Sequence, residues 1–458
     1  MLKTISHTPA TSATEIGSVV SHVQEISDID LLAWLASNAG GSRLLLENQQ
    51  QGMAFATIGS VAAISAGGTG RFEQVQQQLE SFSPHVFVEG DAPKEAEPRW
   101  FGGFSFRSNH DSVGVWSAFP AAHFLLPRIQ LTQVNGKTWL TFNDSLQAEE
   151  TLQEAEQRLK VEVDRLIESH LDAPTFDPTD IQVDQTSALM DQATWHQLIE
   201  NTTGKIVKGD LEKVVLAQAL QVQSQSSVDS MTVLSHLRKK YPNCYSFLFE
   251  PEPGQAFFGA TPELLAKVDD DSVETMAMAS SIGRGKDEAE DQLLAEKLLA
   301  SSKERHEHQV VIEAIQRKLA PLTTELDIPD QPEIARFSNI QHLKTNIRGK
   351  LTHASSMLAV IKAMHPTPAM GGTPRQAALE WIETSEPFPR GWYASPVGWL
   401  DAQGNGLFVV AIRSAVTSGQ ETQLFAGAGI VADSDPEREW AEIQLKFRPI
   451  LEALSPSE

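Results

Sequence analysis

Strand-like runs dominate the first third of the chain. Apolar, aromatic and β-branched residues cluster at 53–58 (MAFATI), 100–106 (WFGGFSF), 124–131 and 139–142, the composition of half-buried strands. Asn135-Gly136 lies between the last two runs, a pairing suited to a two-residue hairpin turn. Residues 1–25 lack such patterning and read as a weakly ordered lead-in. A charged helix is expected over 145–168. Residues 171–186 carry Pro174 and Pro178 among several aspartates and read as a linker.

Beyond the linker the pattern becomes denser. A helix is expected over 194–208, stopped by Gly209-Asp210, with a strand over 213–222 directly after it. Runs at 244–250 and 255–259 flank Pro251-Glu252-Pro253-Gly254 and suggest a hairpin. Residues 287–319 have helical periodicity, in one piece or two. Strands are expected at 392–400, 406–416 and 423–431. Ser434-Asp435-Pro436-Glu437 has the form of a helix start, and the last helix is expected to run to about 454. Strands mostly follow strands, which predicts an α+β fold of large antiparallel sheets packed with outer helices.

Charge narrows the range of functions. Across 458 residues Asp+Glu number 60 against 36 Lys+Arg, a formal charge of -24. Such a chain is poorly suited to nucleic acid, which needs a basic face. A small anionic substrate remains open, because it needs only a local positive pocket. Cys244 is the single cysteine, so no intrachain disulfide can form. No signal-type apolar segment and no run long enough to span a bilayer stands out, so no membrane association and a cytoplasmic location are expected. No coiled-coil signature is present, and a monomer is expected.

Two helices carry carboxylates where apolar residues would be expected. Around Val311, Ile315 and Leu319, Glu304 and His308 share the apolar arc and Glu307 sits at its edge. In the last helix Trp440, Ile443, Phe447 and Ile450 mark the arc, Glu439 and Lys446 border it, and Glu442 lies one step further round. Each set could be a solvated surface pair. Alternatively, one carboxylate from each helix, with water and substrate, would suffice for Mg2+. Lys213 opens an otherwise apolar strand, either snorkelling to water or desolvated enough to act as a base. Glu263 either caps a helix start or acts as an acid opposite that base. The glycines of Phe425–Val431 and Met370–Pro374 permit close backbone approach to a ligand. Arg413, inside an apolar strand, calls for an anionic partner.

Several stretches, in order, resemble the chorismate-utilising enzyme family, which includes isochorismate, salicylate, anthranilate and aminodeoxychorismate synthases. They are WFGGFSF at Trp100, KVVLAQ at Lys213, FFGATPELL at Phe257, LLASSKERHEH at Leu298 and IQHLKTNIRG at Ile340. HPTPAMGGTP at His365, VGWLDAQGNGLFVVAIR at Val397 and LFAGAGIVADSDPEREWAEIQLKF at Leu424 complete the series. The resemblance implies an anthranilate synthase component I-like fold. It also implies an N-terminal α/β subdomain over 26–185 and a chorismate-binding catalytic domain over 186–458.

By resemblance, Lys213 is the base that activates water and Glu263 the acid that protonates the departing C4 hydroxyl. Glu307 and Glu442 are implied Mg2+ ligands, supported by Glu304 and Glu439. His342 is implied near the C4 oxygen, and Arg413 and Tyr393 at the enolpyruvyl carboxylate. Gly429 and Lys446 are implied as further carboxylate contacts. Ala369 stands where aminodeoxychorismate synthases carry a lysine nucleophile and salicylate synthases a threonine, so the chain is most similar to isochorismate synthases. The implied reaction is Mg2+-dependent conversion of chorismate to isochorismate. Salicylate synthesis, with pyruvate elimination added, is the alternative. One departure stands out: Ala279-Ser280-Ser281 replaces the family's Ala-Gly-Ser/Thr, so Ser280 takes the place of a glycine while Ser281 keeps a hydroxyl.

Overall fold

The structure, a computed structural model, describes residues 18–82, 84–170, 176–338, 340–353 and 355–455. Among them, strands hydrogen-bond into one connected, mostly antiparallel network, with ten α-helices packed on it. The network branches at the long strand Ala122–Val134, which pairs with Met53–Ala66, Trp100–Phe104 and Lys137–Ser145. Its hairpin to Lys137–Ser145 turns at Asn135 (φ 53) and Gly136 (φ 73), the left-handed pair that a type I′ turn demands.

One limb runs from Met53–Ala66 through Arg43–Asn48, Tyr245–Glu252, Gln255–Thr261 and Ser414–Ser418. It continues through Glu421–Ile430 to Lys213–Ser224. The other runs from Trp100–Phe104 through Pro396–Leu400, Gly406–Val410 and Leu264–Asp269. It ends with Ser272–Gly283 and Ile340–Leu351. The main core, with Trp34, Trp116, Phe247 and Trp392, lies with the first limb. A second core, with Trp100, Phe104 and Phe408, lies under the helices Ser302–Leu319 and Met357–Met364.

Two of the places where the chain passes between limbs are adjacent. Pro262-Glu263 leads from Gln255–Thr261 to Leu264–Asp269, and residues 411–413 lead from Gly406–Val410 to Ser414–Ser418. The crossings are stitched together: Val410 N donates to Glu263 O at 3.0 Å, Ala260 N to Arg413 O at 3.2 Å, and Thr261 Oγ1 to Val410 O at 2.6 Å. A cleft opens at this fork, and its walls come from both limbs.

Several expectations need correction. Of the lead-in, residues 1–17 lie outside the described residues, but Val19–Ile26 is a strand. It pairs with Lys137–Ser145 and His85–Val88. Ser21 and His22 interrupt its apolar run, yet both are buried, and Ser21 Oγ donates to Asn143 Oδ1 at 2.6 Å. The helix expected from 145 begins at Leu152, because the preceding strand continues through Ser145. Of the linker, 171–175 lie outside the described residues, while Val183–Ala188 pairs with Lys213–Ser224. That strand spans the boundary expected at 185/186, and its exposed, polar surface gave it the composition of a linker. The sheet does not break there: Arg43–Asn48 and Trp100–Phe104 pair with strands from the C-terminal part. The strand expected over 406–416 is interrupted at 411–413, where Arg413 has φ 50.

Candidate active site

The cleft at the fork encloses about 350 Å³. Lys213, Glu263, Ser281, Glu304, Glu307, His342, Ala369, Tyr393, Arg413, Gly429, Glu439, Glu442 and Lys446 all line it. The residues to which the resemblance assigns a role are therefore brought to one place, whereas His308 turns away to Thr345 Oγ1 at 2.8 Å.

Lys213 begins the strand Lys213–Ser224, whose apolar run suits a strand covered on both faces. Its Nζ lies 2.9 Å from Glu307 Oε1. Gly429, across the strand pair, leaves room for it: a Cβ there would fall 3.0 Å from Lys213 Cε. Gly372 does similar work from the other side, since a Cβ would lie 2.3 Å from Lys213 O. The glycine turn at 370–374, expected to let backbone approach a ligand, thus lets one backbone approach another, and Gly372-Thr373 pairs with Val214-Lys213.

Glu263 sits in the crossing between two strands, not at a helix start. It is 7% exposed, and its carboxyl has no hydrogen-bond partner among the described residues. Burial pushes it up to about 7, against the opposing pull of Arg413, Lys213 and Lys446. A carboxylic acid held protonated near neutrality can donate a proton there. Arg413 lies at the second crossing. Its side chain makes no ion pair or hydrogen bond among the described residues, and burial lowers its affinity for a proton. A desolvated, unpaired guanidinium lining a cleft is a receptor for a carboxylate.

Tyr393 is stacked on Phe425, with centroids 5.1 Å apart and planes 19° apart. Burial pushes its phenol up to about 12, so it stays neutral. Gly427 clears space for the hydroxyl, because a Cβ would stand 2.9 Å from it. His342 Nδ1 lies 2.9 Å from Ser281 Oγ. Burial, then Arg413 and Lys446, bring its imidazole down to about 3, which keeps it neutral. Next to Ser281, Ser280 sits in a bulge of the strand Ser272–Gly283 with φ 59. This left-handed conformation favours glycine, the residue the resemblance implies at this position. Ser280 Oγ donates to Glu304 O at 3.0 Å, tying the bulge to the carboxylate helix.

That helix, Ser302–Leu319, is separated from Glu288–Ala300 by Ser301, whose hydroxyl accepts from Glu304 N. The last helix is Pro436–Leu454, capped by Asp435, while Ser434 instead accepts from Val431 N at 3.1 Å. Lys446 Nζ reaches Glu442 Oε1 at 2.5 Å and Gly427 O at 2.6 Å. Lys446 therefore holds Glu442 below the usual carboxylate range. Glu439 is pushed up to about 7 by burial, with Glu442 and Glu307 adding to the effect. Among the described residues no three acidic, histidine or cysteine groups form a ready-made metal cluster.

The sequence reading passed over other lining residues. Lys303 and Asp433, each 62% exposed, pair at 2.5 Å across the rim, and Arg438 adds another cation there. Both lie in stretches quoted for the resemblance, but nothing in a linear sequence shows that the starts of two distant helices meet. Met370 and Phe425 complete the apolar wall.

A fork between two sheet limbs, holding a neutral acid, a lysine and an unpaired arginine beside four carboxylates, defines an enzyme site for a small anion. The chain belongs to a family described as chorismate binding enzyme, whose profile matches residues 4–455. Isochorismate synthase MenF of Bacillus subtilis is 32% identical over 445 residues, covering 95% of this chain and 93% of that protein. The salicylate biosynthesis isochorismate synthase of Pseudomonas aeruginosa is 35% identical over 410 residues, covering 89% and 84%. The solved structure of MenF, the menaquinone-specific isochorismate synthase from Escherichia coli, matches with a TM-score of 0.81 at 29% identity. The match covers 97% of each chain, so the fold is the α+β fold of that enzyme. No helix among the described residues is long and apolar enough to cross a membrane.

Proposed function

We propose that this protein is an isochorismate synthase that converts chorismate to isochorismate with Mg2+ as its cofactor. The observation that carries the reading is the pairing, in one cleft, of Lys213 with a Glu263 whose carboxyl is held protonated to about 7. Names of relatives along nearly the whole chain point the same way.

The reaction adds water at ring carbon 2, shifts the double bonds and expels the C4 hydroxyl. Acting as the base, Lys213 exchanges Glu307 for the attacking water and takes a proton from it. Glu263 gives its proton to the leaving hydroxyl, and the neutral His342 beside it accepts or donates a hydrogen bond at the C4 oxygen. One side chain thus removes a proton while the other supplies one, so charge does not accumulate on the ring. Arg413 and the Tyr393 hydroxyl hold the enolpyruvyl carboxylate. Lys446, with the space beside Gly429, receives the ring carboxylate, and Ala369 offers no nucleophile to divert the intermediate. Holding both flexible carboxylates places C2 before the base.

The donor set fits Mg2+. Glu307 and Glu442 would hold the ion, with Glu304 and Glu439 supporting them. These are hard oxygen donors from two helices, and their mutual repulsion is already felt at Glu439. Because no three such groups cluster among the described residues, water and substrate would have to complete the shell. When bound, the ion would neutralise the ring carboxylate and orient the ring. The test is Lys213→Ala. It is expected to abolish conversion while chorismate still binds in an Mg2+-dependent manner by calorimetry. Residual turnover near the wild-type rate would overturn the assignment of the base.

A further inference from the structure

The strand that carries Lys213 is paired along one side by Glu421–Ile430. On its other side, backbone covers only the two ends. At one end Gly372-Thr373 pairs with Val214-Lys213, and Gly371 O accepts from Val215 N at 3.0 Å. At the other, Val183–Ala188 pairs from Leu220 onward, and Leu189 N donates to Ala219 O at 2.9 Å. Between these ends the carbonyl of Val215 and the amide of Ala217 have no strand opposite them.

Two side chains fill the gap. Glu386 Oε1 accepts from Ala217 N at 2.8 Å, and Arg390 Nη2 donates to Val215 O at 2.7 Å. The two are joined by Nε to Oε2 at 2.8 Å and Nη2 to Oε1 at 2.5 Å, and each side chain is 2% exposed. Arg390 Nη1 also donates to Met370 O at 3.0 Å, with the guanidinium 4.3 Å over the Phe106 ring.

Desolvating an ion pair is unfavourable, and apolar replacements often match or exceed its stability. Here an apolar pair would leave three backbone groups, one donor and two acceptors, without these partners, the buried Val215 carbonyl among them. A carboxylate beside a planar five-donor fork satisfies all of them at once. Those groups belong to two walls of the cleft. Val215 lies on the strand of Lys213, and Met370 adjoins Ala369 in the facing loop.

We propose that Glu386 and Arg390 are a positioning pair that locks the Lys213 strand against the Ala369-Met370 loop. The pair thereby sets where the lysine stands relative to the bound ring. This inference rests on the reading of Lys213 as the base.

Arg390→Lys tests it, because it keeps the charge but cannot reach Glu386, Val215 O and Met370 O together. Turnover is counted per chorismate-binding site, measured by calorimetry. A fall in kcat of about tenfold or more is expected, with KM changed by less than about twofold. If Arg390→Lys does not fold, Glu386→Gln, which keeps an oxygen for the Ala217 amide, carries the same test and should retain more turnover than Glu386→Ala. A purely structural role would reduce the number of sites and leave turnover per site unchanged, and that result overturns the proposal. Wild-type protein that leaves chorismate unconverted removes the base reading and this inference with it. Active wild-type protein with unchanged turnover per site in the variant removes the positioning pair alone.

Discussion

Glu263 is the residue whose environment departs furthest from water in the direction its proposed task requires. Its carboxyl is raised by burial to about 7, so it is protonated below that pH and loses its proton above it. On the proposed mechanism kcat/KM falls as pH rises through about 7, and Glu263→Gln removes that limb along with roughly a hundredfold or more of the rate. The same shift is a stability term. A carboxyl raised from 4.5 in the folded state contributes stability below 4.5 that is lost as pH rises through about 7. Glu263→Gln should therefore melt close to the wild type at pH 4.5 and increasingly above it towards pH 8. A flat activity profile between pH 6 and 9, with no pH-dependent difference in melting, would remove Glu263 as the acid. The identity of this residue was legible in FFGATPELL, but its burial was not. Alone, the sequence allowed a solvated glutamate at a helix start, and only the crossing of the chain between limbs places the carboxyl out of water. Arg413 shows the same limit: an arginine in an apolar run suggested a buried anion receptor, while its φ of 50 and its place between strands appear only in three dimensions.

At the scale of elements, the two carboxylate helices were legible because acidic residues broke an apolar arc, a pattern that 3.6-residue periodicity exposes. Their relation was not legible, since it depends on both helix starts facing one cleft. Glu307 and Glu442 are half-buried and paired with Lys213 and Lys446, not packed into the core. Glu307→Ala and Glu442→Ala should therefore weaken Mg2+ binding in calorimetry by about tenfold or more while lowering stability by no more than about 1 kcal/mol. Mg2+ titrations indistinguishable from wild type would take these residues out of the metal site. The Ser280 bulge illustrates a departure that the sequence flagged without explaining. The left-handed backbone there favours glycine, and a hydrogen bond to Glu304 O worth about 1 kcal/mol offsets strain of similar size.

At the scale of the whole molecule, a chain with a formal charge of -24 gathers Lys213, Lys303, Arg413, Arg438 and Lys446 in one cleft, among carboxylates that outnumber them. Composition could say only that a small anion needs cations gathered locally. The α+β class was legible from strands following strands, but the sheet connections were not. Strand pairing is long-range, and the aspartate-rich stretch before residue 186 has the composition of a linker. Because Leu44, Leu45 and Leu46 pair with Phe249, Leu248 and Phe247, a fragment of residues 186–458 would expose an apolar sheet edge. It should be insoluble or lack a cooperative melt; a soluble fragment that melts cooperatively would support the division expected at 185/186. The central claim is the chemistry of the cleft, and its most direct test is incubation of the purified protein with chorismate, with and without Mg2+, followed by chromatography of the products. Isochorismate that forms only with Mg2+, without pyruvate, is the predicted result. Salicylate with pyruvate, or chorismate left unchanged in the presence of Mg2+, would contradict it.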